Sequence, residues 1–260
     1  VLPLVLFTPL FAFVSAGHAQ VPAKGPELHI AAASDLQPVL PVLAAAYEAK
    51  TGVHIVASFG SSATLAQQLS NGDPQDVFLS ADFVQPERLI SDKLATGLHG
   101  ANTPTSYATG ALVLWARKDS PAQPLSLDSL TKPSVTRIAI ANPLHAPYGL
   151  AATRALESLH LTAVLNSKLA DAENIAQTAQ FAESGNAQIG LISLTLASSP
   201  HLREIGTFVR FPAGSYPPIR QCGVILNASK NHAAAEAFLA WLTSPETQAK
   251  LPHFGLDPAS

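Results

Sequence analysis

Two serine-bearing junctions have the residue types and spacing to hold an anion. In Ala33-Ser34-Asp35-Leu36-Gln37 an apolar, strand-like run gives way to a helix-like one. In Phe59-Gly60-Ser61-Ser62-Ala63-Thr64-Leu65 the same change recurs, with a glycine that allows close backbone approach. Helix N-termini carry N–H groups without intrahelical partners and a partial positive charge, and both favour anions. A serine there can turn its hydroxyl hydrogen toward an oxyanion, adding a donor without adding formal charge. Such serines also suit plain helix capping, and Ser34 with Gln37 has capping-box spacing. Ser34, Ser61 and Ser62 are candidates on either reading.

Two similar junctions follow in the second half of the chain. Asn142-Pro143-Leu144-His145-Ala146-Pro147-Tyr148-Gly149 is a loop feeding a helix, and Asp171-Ala172-Glu173-Asn174-Ile175 precedes another. Pro147 holds the preceding chain extended, which leaves the N–H groups of Tyr148 and Gly149 at the helix start. Tyr148 is equally suited to a packed position with its hydroxyl satisfied.

Other chemistries find little footing. The nine histidines show no His-Glu-x-x-His or other close metal-ligand spacing. No Gly-x-Ser-x-Gly elbow or phosphate-loop motif occurs. Lys50-Thr51-Gly52 and Ser129-Leu130-Thr131-Lys132 echo penicillin-binding signatures, but in the reverse of the usual order. With 15 basic and 18 acidic residues, a net charge of −3 offers no electrostatic case for nucleic acid. Cys222 is the single cysteine, so there is no intramolecular disulfide, and no lipid-attachment cysteine stands near the N-terminus.

The elements that must position these junctions alternate along the chain. Residues 1–19 contain no Asp, Glu, Lys or Arg and end in small residues, which reads as the apolar and cleavage regions of a secretory signal peptide with an incomplete N-terminus. Residues 20–26 form a Pro/Gly linker. Strands are expected at 27–33, 53–59 and 76–82, with helices at 34–50, 61–72 and 84–93 between and after them. A polar stretch over 100–110 separates this unit from strands at 111–117, 137–142 and 187–193, helices near 148–159 and 174–184, a return crossing at 206–218 and a terminal helix at 233–244. Such βαβ alternation argues for parallel sheets covered by helices. The fold class is α/β with two lobes: residues 27–106 form lobe 1, 107–212 lobe 2, and 213–260 return to lobe 1. In open α/β sheets ligands bind beyond the carboxyl ends of the strands, which places the site in the cleft between lobes.

In this order and spacing, AAASDL, SFGSSATLAQQLSNGDPQDVFLSAD, ALVLWARK, IAIANPLHAPYGLAATRAL, ENIAQTAQFAESGNAQIG and the FP…YPPI segment carry a resemblance. From about Glu27 onward the chain resembles the periplasmic molybdate-binding proteins of ABC importers, which have the type II periplasmic-binding-protein fold with two hinge crossings. The resemblance implies that Ser34 and Ser62 donate to the oxyanion from the first lobe, through hydroxyl and backbone N–H. Tyr148 and Ile175 would donate from the second, Ile175 through its N–H alone. Some members use a tyrosine where this chain has Ser193; this chain follows those with a tyrosine at the position of Tyr148, so Ser193 is a secondary candidate, and Ser61, beside Ser62, is another. Molybdenum would be held only through its oxygens, without direct metal ligands or any cofactor. The implied partners are a small oxyanion and the membrane permease of an ABC importer, with a monomeric protein in the periplasm.

Molybdate and tungstate are fully deprotonated dianions at neutral pH, so their oxygens only accept hydrogen bonds. Neutral donors suit them and sulfate, whereas phosphate keeps a proton and benefits from an acceptor. Asp35 departs from a purely neutral set. It is expected to face outward in the first turn, where a negative charge suits the helix dipole; turned inward, it would repel a dianion and admit a protonated anion. Alternatives are a binding protein for sulfate or phosphate and, from a different class, a secreted serine hydrolase using Ser34 or Ser62.

Overall fold

The computed structural model describes residues 26–259, so the leader expected over residues 1–19 lies outside the described residues. Strands β1 (Glu27–Ala33), β2 (His54–Gly60), β3 (Val77–Ser80), β4 (Ala95–Thr96) and β5 (Thr105–Gly110) open the fold. Helices α1 (Leu40–Thr51), α2 (Ser62–Ser70) and α3 (Val84–Ser91) connect them. The next five strands are β6 (Leu112–Arg117), β7 (Ile138–Ala141), β8 (Leu169–Ala172), β9 (Ile189–Ser193) and β10 (Gly206–Arg210). Helices α4 (Pro147–Ser158), α5 (Thr162–Leu165), α6 (Ile175–Glu183), α7 (Leu194–Ala197) and α8 (Pro200–Ile205) belong with them. The chain closes with β11 (Ile219–Leu226), α9 (His232–Leu242), α10 (Pro245–Gln248) and β12 (Leu256–Pro258).

These strands make two sheets. The first is ordered β12-β5-β11-β3-β1-β2, with β4 on β11, and the second β10-β6-β9-β7-β8. Each has a parallel core of three strands, β3-β1-β2 and β9-β7-β8. Every residue of β3, β7 and β9 is buried, as expected of parallel strands covered on both faces. Antiparallel strands widen each sheet: β11, β5 and β12 in the first, β6 and β10 in the second. The expected two-lobed α/β architecture is therefore present. The chain crosses between sheets from β5 to β6 and returns between β10 and β11. The boundary expected between residues 106 and 107 falls inside β5.

Two local expectations need correction. The polar stretch over 100–110 is not a separator, because it contains β5, hydrogen-bonded between β11 and β12. Thr105, Tyr107 and Thr109 are β-formers despite their polarity, and the hydroxyl of Thr105 accepts the Leu98 N–H at 2.8 Å. The helix expected over 34–50 is in two pieces, a 3₁₀ turn over Ser34–Leu36 and then α1. Pro38 and Pro41 lack N–H groups and interrupt helical bonding between them. Leu36, Leu40, Leu43 and Tyr47 are nonetheless all buried, so the apolar face survives the break. No capping box forms at Ser34; Gln37 donates its N–H to the Ser34 carbonyl at 3.2 Å instead.

Candidate functional site

The carboxyl ends of four parallel strands lead into turn or helix starts that meet between the sheets. β1 runs into the Ser34–Leu36 turn, β2 into α2, β7 through a loop into α4, and β8 into α6. Ser34, Asp35, Ser61, Ser62, Tyr148 and Ile175 line one small cavity there. A larger recess beside Asp73, Asp76 and Lys93 holds none of them. Ser193 does not line the cavity. Its hydroxyl caps α7 by accepting the Leu196 N–H and is 2.8 Å from the Thr195 hydroxyl.

The lining serines differ in what they have left to give. Ser61 caps α2, accepting from Thr64 N–H and donating to the Thr64 hydroxyl at 2.7 Å. Ser62, fully buried at the first turn of α2, accepts the Ala81 N–H at 3.1 Å, which leaves its hydroxyl hydrogen to donate elsewhere. The Ser34 hydroxyl is buried and has no partner among the described residues. A buried hydroxyl without a partner costs free energy unless something in the cavity completes it.

The second lobe presents backbone. Asn174 caps α6 through its side chain, accepting from Ala176 and Gln177 N–H groups at 3.0 Å each. Ile175 is the first residue of α6 and Tyr148 follows Pro147 at the start of α4, so their N–H groups are among those a helix cannot satisfy internally. Asn174 also lines the cavity. Its cap role is legible in the sequence as an Asn before an apolar-periodic run.

Asp35 does not face outward. It is fully buried, and its Oδ2 accepts from the Tyr148 hydroxyl at 3.1 Å and from Gln221 Nε2 at 2.6 Å. The reason is the broken helix start: a 3₁₀ turn, not an α-helical first turn, sets the direction of the side chain. Gln221 sits at a register shift in β11, where a bulge re-aims side chains. Its Oε1 accepts from the buried Tyr107 hydroxyl at 2.9 Å, so the chain of bonds runs Tyr107–Gln221–Asp35–Tyr148. Burial raises the Asp35 carboxyl from 3.8 to about 7, against the lowering effect of these hydrogen bonds. Tyr107 and Tyr148 are pushed well above 10, chiefly by burial and then by the nearby Asp35. Gly110, at the crossing between lobes, makes room for this cluster: a Cβ there would overlap the Tyr148 hydroxyl. Gln221, Tyr107 and Gly110 carried no signal in the sequence, because only the fold brings them to Asp35.

Several hydrogen bonds join the lobes around the cavity, among them Gln221 Nε2 donating to the Tyr148 hydroxyl at 3.2 Å. Tyr148 reaches Asp35, the Ala63 N–H donates to the His145 carbonyl at 3.1 Å, and the Thr64 hydroxyl donates to Glu173 at 3.2 Å. Among the described residues neither Ser34 nor Ser62 bonds a histidine, so these residues assemble no nucleophile–base pair at this site. Among the described residues no group of three or more His, Cys, Asp or Glu side chains is placed to hold a metal ion. No helix of the described residues is long and apolar enough to cross a membrane. Cys222 is buried, its thiol donates to the Asp82 carbonyl at 3.1 Å, and burial pushes its pKa upward, away from reactivity.

Two lobes on separate sheets, joined by two crossings over a cleft of helix starts, are the architecture of an extracellular solute receptor. The chain belongs to the bacterial extracellular solute-binding protein family, whose model matches residues 28–257. It is 34% identical over 250 residues to the molybdate-binding protein ModA of Azotobacter vinelandii, covering 95% of this chain and 96% of that one. It is 31% identical to ModA of Rhodobacter capsulatus, covering 90% of each. The solved periplasmic molybdate-binding protein of A. vinelandii superposes with a TM-score of 0.81 at 32% identity, over 90% of this chain and 100% of that one.

Proposed function

We propose that this protein binds molybdate or tungstate between its lobes in the periplasm and delivers it to the membrane permease of an ABC importer. It acts as a monomeric receptor and catalyses no reaction. The observation that carries this reading is the Ser34 hydroxyl, buried and unpartnered in a cavity ringed by helix and turn starts. Ser34 and Ser62 donate through their hydroxyls, and Ile175 through its N–H. Tyr148 serves through its N–H, since its hydroxyl is committed to Asp35. All four are neutral donors, which matches an anion whose oxygens accept only. Supporting the anion's identity are the curated relatives named for molybdate.

Calorimetric titration of ligand-free protein with molybdate, tungstate, sulfate and phosphate tests the reading. Molybdate and tungstate are expected to bind with 1:1 stoichiometry and more tightly than sulfate or phosphate. Tighter binding of phosphate than of molybdate would overturn it.

A further inference from the structure

Asp35 gives this cavity an ionisable group among otherwise neutral donors. Its Oδ2 receives two hydrogens, from Tyr148 and from Gln221. Its Oδ1 is buried and has no partner among the described residues, on a side chain that lines the cavity beside Ser34. A proton added to this carboxyl therefore belongs on Oδ1, because Oδ2 is already occupied by donors. The group then presents an O–H next to the unpartnered Ser34 hydroxyl.

We propose that Asp35 enters the anion complex as a neutral carboxylic acid, so that capture of a dianion takes up a proton from solution. The proposal rests on the oxyanion reading of the site. In the balanced step, ionised protein, one dianion and one proton give the complex. The proton bonds to Oδ1, which donates it in a hydrogen bond to an anion oxygen, and no other bond forms or breaks. The position of the carboxyl near pH 7 makes the proton available from neutral solution. Burial keeps the ionisable groups closest to it neutral, Tyr148 directly and Tyr107 through Gln221, with Cys222 near Tyr107; Tyr216 lies near Tyr148. Of the elements packed on the Ser34–Leu36 turn, α7 carries no ionisable side chain, and β2 carries only His54, at its opposite end. The third, α6, ends in Glu183, paired with His201, and is preceded by Glu173, bonded to Thr64. The elements that bond Asp35 directly carry Arg154 on α4, paired with Glu157, and Arg220 on β11, stacked over Phe83. No Lys, Arg or His lines the cavity, so ionised Asp35 and a dianion would meet there without a neighbouring cation.

Calorimetry with molybdate at pH 8, in two buffers of different ionisation enthalpy, counts the protons taken up. For the wild-type protein the apparent enthalpy should depend on the buffer, approaching one proton per anion. Its Kd should weaken up to about tenfold for each pH unit above about 7. Asp35→Asn keeps an acceptor for Tyr148 and places an N–H donor where the acid proton stood; its enthalpy should be buffer-independent and its Kd flat with pH. Wild-type binding without proton uptake, on a flat pH profile, would overturn the proposal and leave the oxyanion reading intact. A wild-type preference for phosphate that Asp35→Asn reverses toward molybdate would overturn the proposal together with the molybdate reading, since Asp35 would then be an ionised acceptor. Failure of both proteins to bind molybdate or tungstate at any pH would overturn both readings. If Asp35→Asn does not fold, the wild-type proton count decides alone.

Discussion

Ser34 and Ser62 carry the same hydroxyl in different circumstances, and truncation should separate them. The Ser34 hydroxyl bonds no other described residue, so its removal strands no partner among them. The Ser62 oxygen accepts the Ala81 N–H, so its removal leaves a buried donor unsatisfied. Ser34→Ala is expected to weaken molybdate binding by about 1.5–3 kcal/mol, the usual worth of a hydrogen bond to a charged group, with little loss of melting temperature. Ser62→Ala should lower both affinity and melting temperature. Equal loss of stability in the two variants would remove the distinction.

Asp35 also predicts how the free protein responds to pH. Its folded-state value of about 7 lies above the ordinary 3.8, so unfolded chains release this proton first as pH rises. Its contribution to stability is fully present below about pH 4, declines by a few kcal/mol as pH rises to about 7, and is flat beyond. Melting curves of the free protein should show this decline, and Asp35→Asn should lack it. Charge repulsion explains why the neutral form matters. A unit charge roughly 4 Å from a dianion is opposed by about 8 kcal/mol at an effective dielectric of 20, twice the value for two unit charges. At this scale the serines were legible from their place before helix-like runs. The direction of Asp35 was not, since it depends on a 3₁₀ turn produced by two prolines and on Gln221, 186 residues away.

On the proposed function, helices α4 and α6 deliver backbone donors only if their first turns are fixed. Asn174→Ala removes the cap that accepts two N–H groups and is expected to cost about 1 kcal/mol of stability. It should weaken anion binding as well, because the Ile175 N–H loses its fixed direction; unchanged affinity would separate α6 from the site. Gly110→Ala forces the Tyr148 hydroxyl away from the crossing strand and should reduce affinity at least tenfold, measured by calorimetry. The parallel elements were readable because their apolar runs lie between helix-like periods. Strand β5 was not: its polar residues are satisfied by neighbouring strands and loops, a circumstance that hydropathy cannot express.

The whole molecule couples two lobes through polar contacts and through Ala33 and Ala81 of the first lobe, which pack into the apolar core of the second. The first sheet packs around residues such as Leu28, Val77, Leu79 and Phe238, and the second around Trp115, Ile138, Leu156 and Ile189. An anion bonded from both sides adds to the Tyr148–Asp35, Ala63–His145 and Thr64–Glu173 contacts and favours closure. Ligand at a thousand times Kd contributes about 4 kcal/mol to stability, which for a chain of this size raises Tm on the order of 10 °C. Two lobes and two crossings were evident from the βα alternation, whereas the contacts that join the lobes depend on loops whose paths only the fold defines.

Selection of a fully deprotonated tetrahedral anion by neutral donors between these lobes is the core of the proposed function. Its most direct test is the calorimetric titration of ligand-free protein with molybdate, tungstate, sulfate and phosphate near neutral pH. A single site filled most tightly by molybdate and tungstate is expected. Tightest binding of phosphate, or no binding of any of the four, would contradict it.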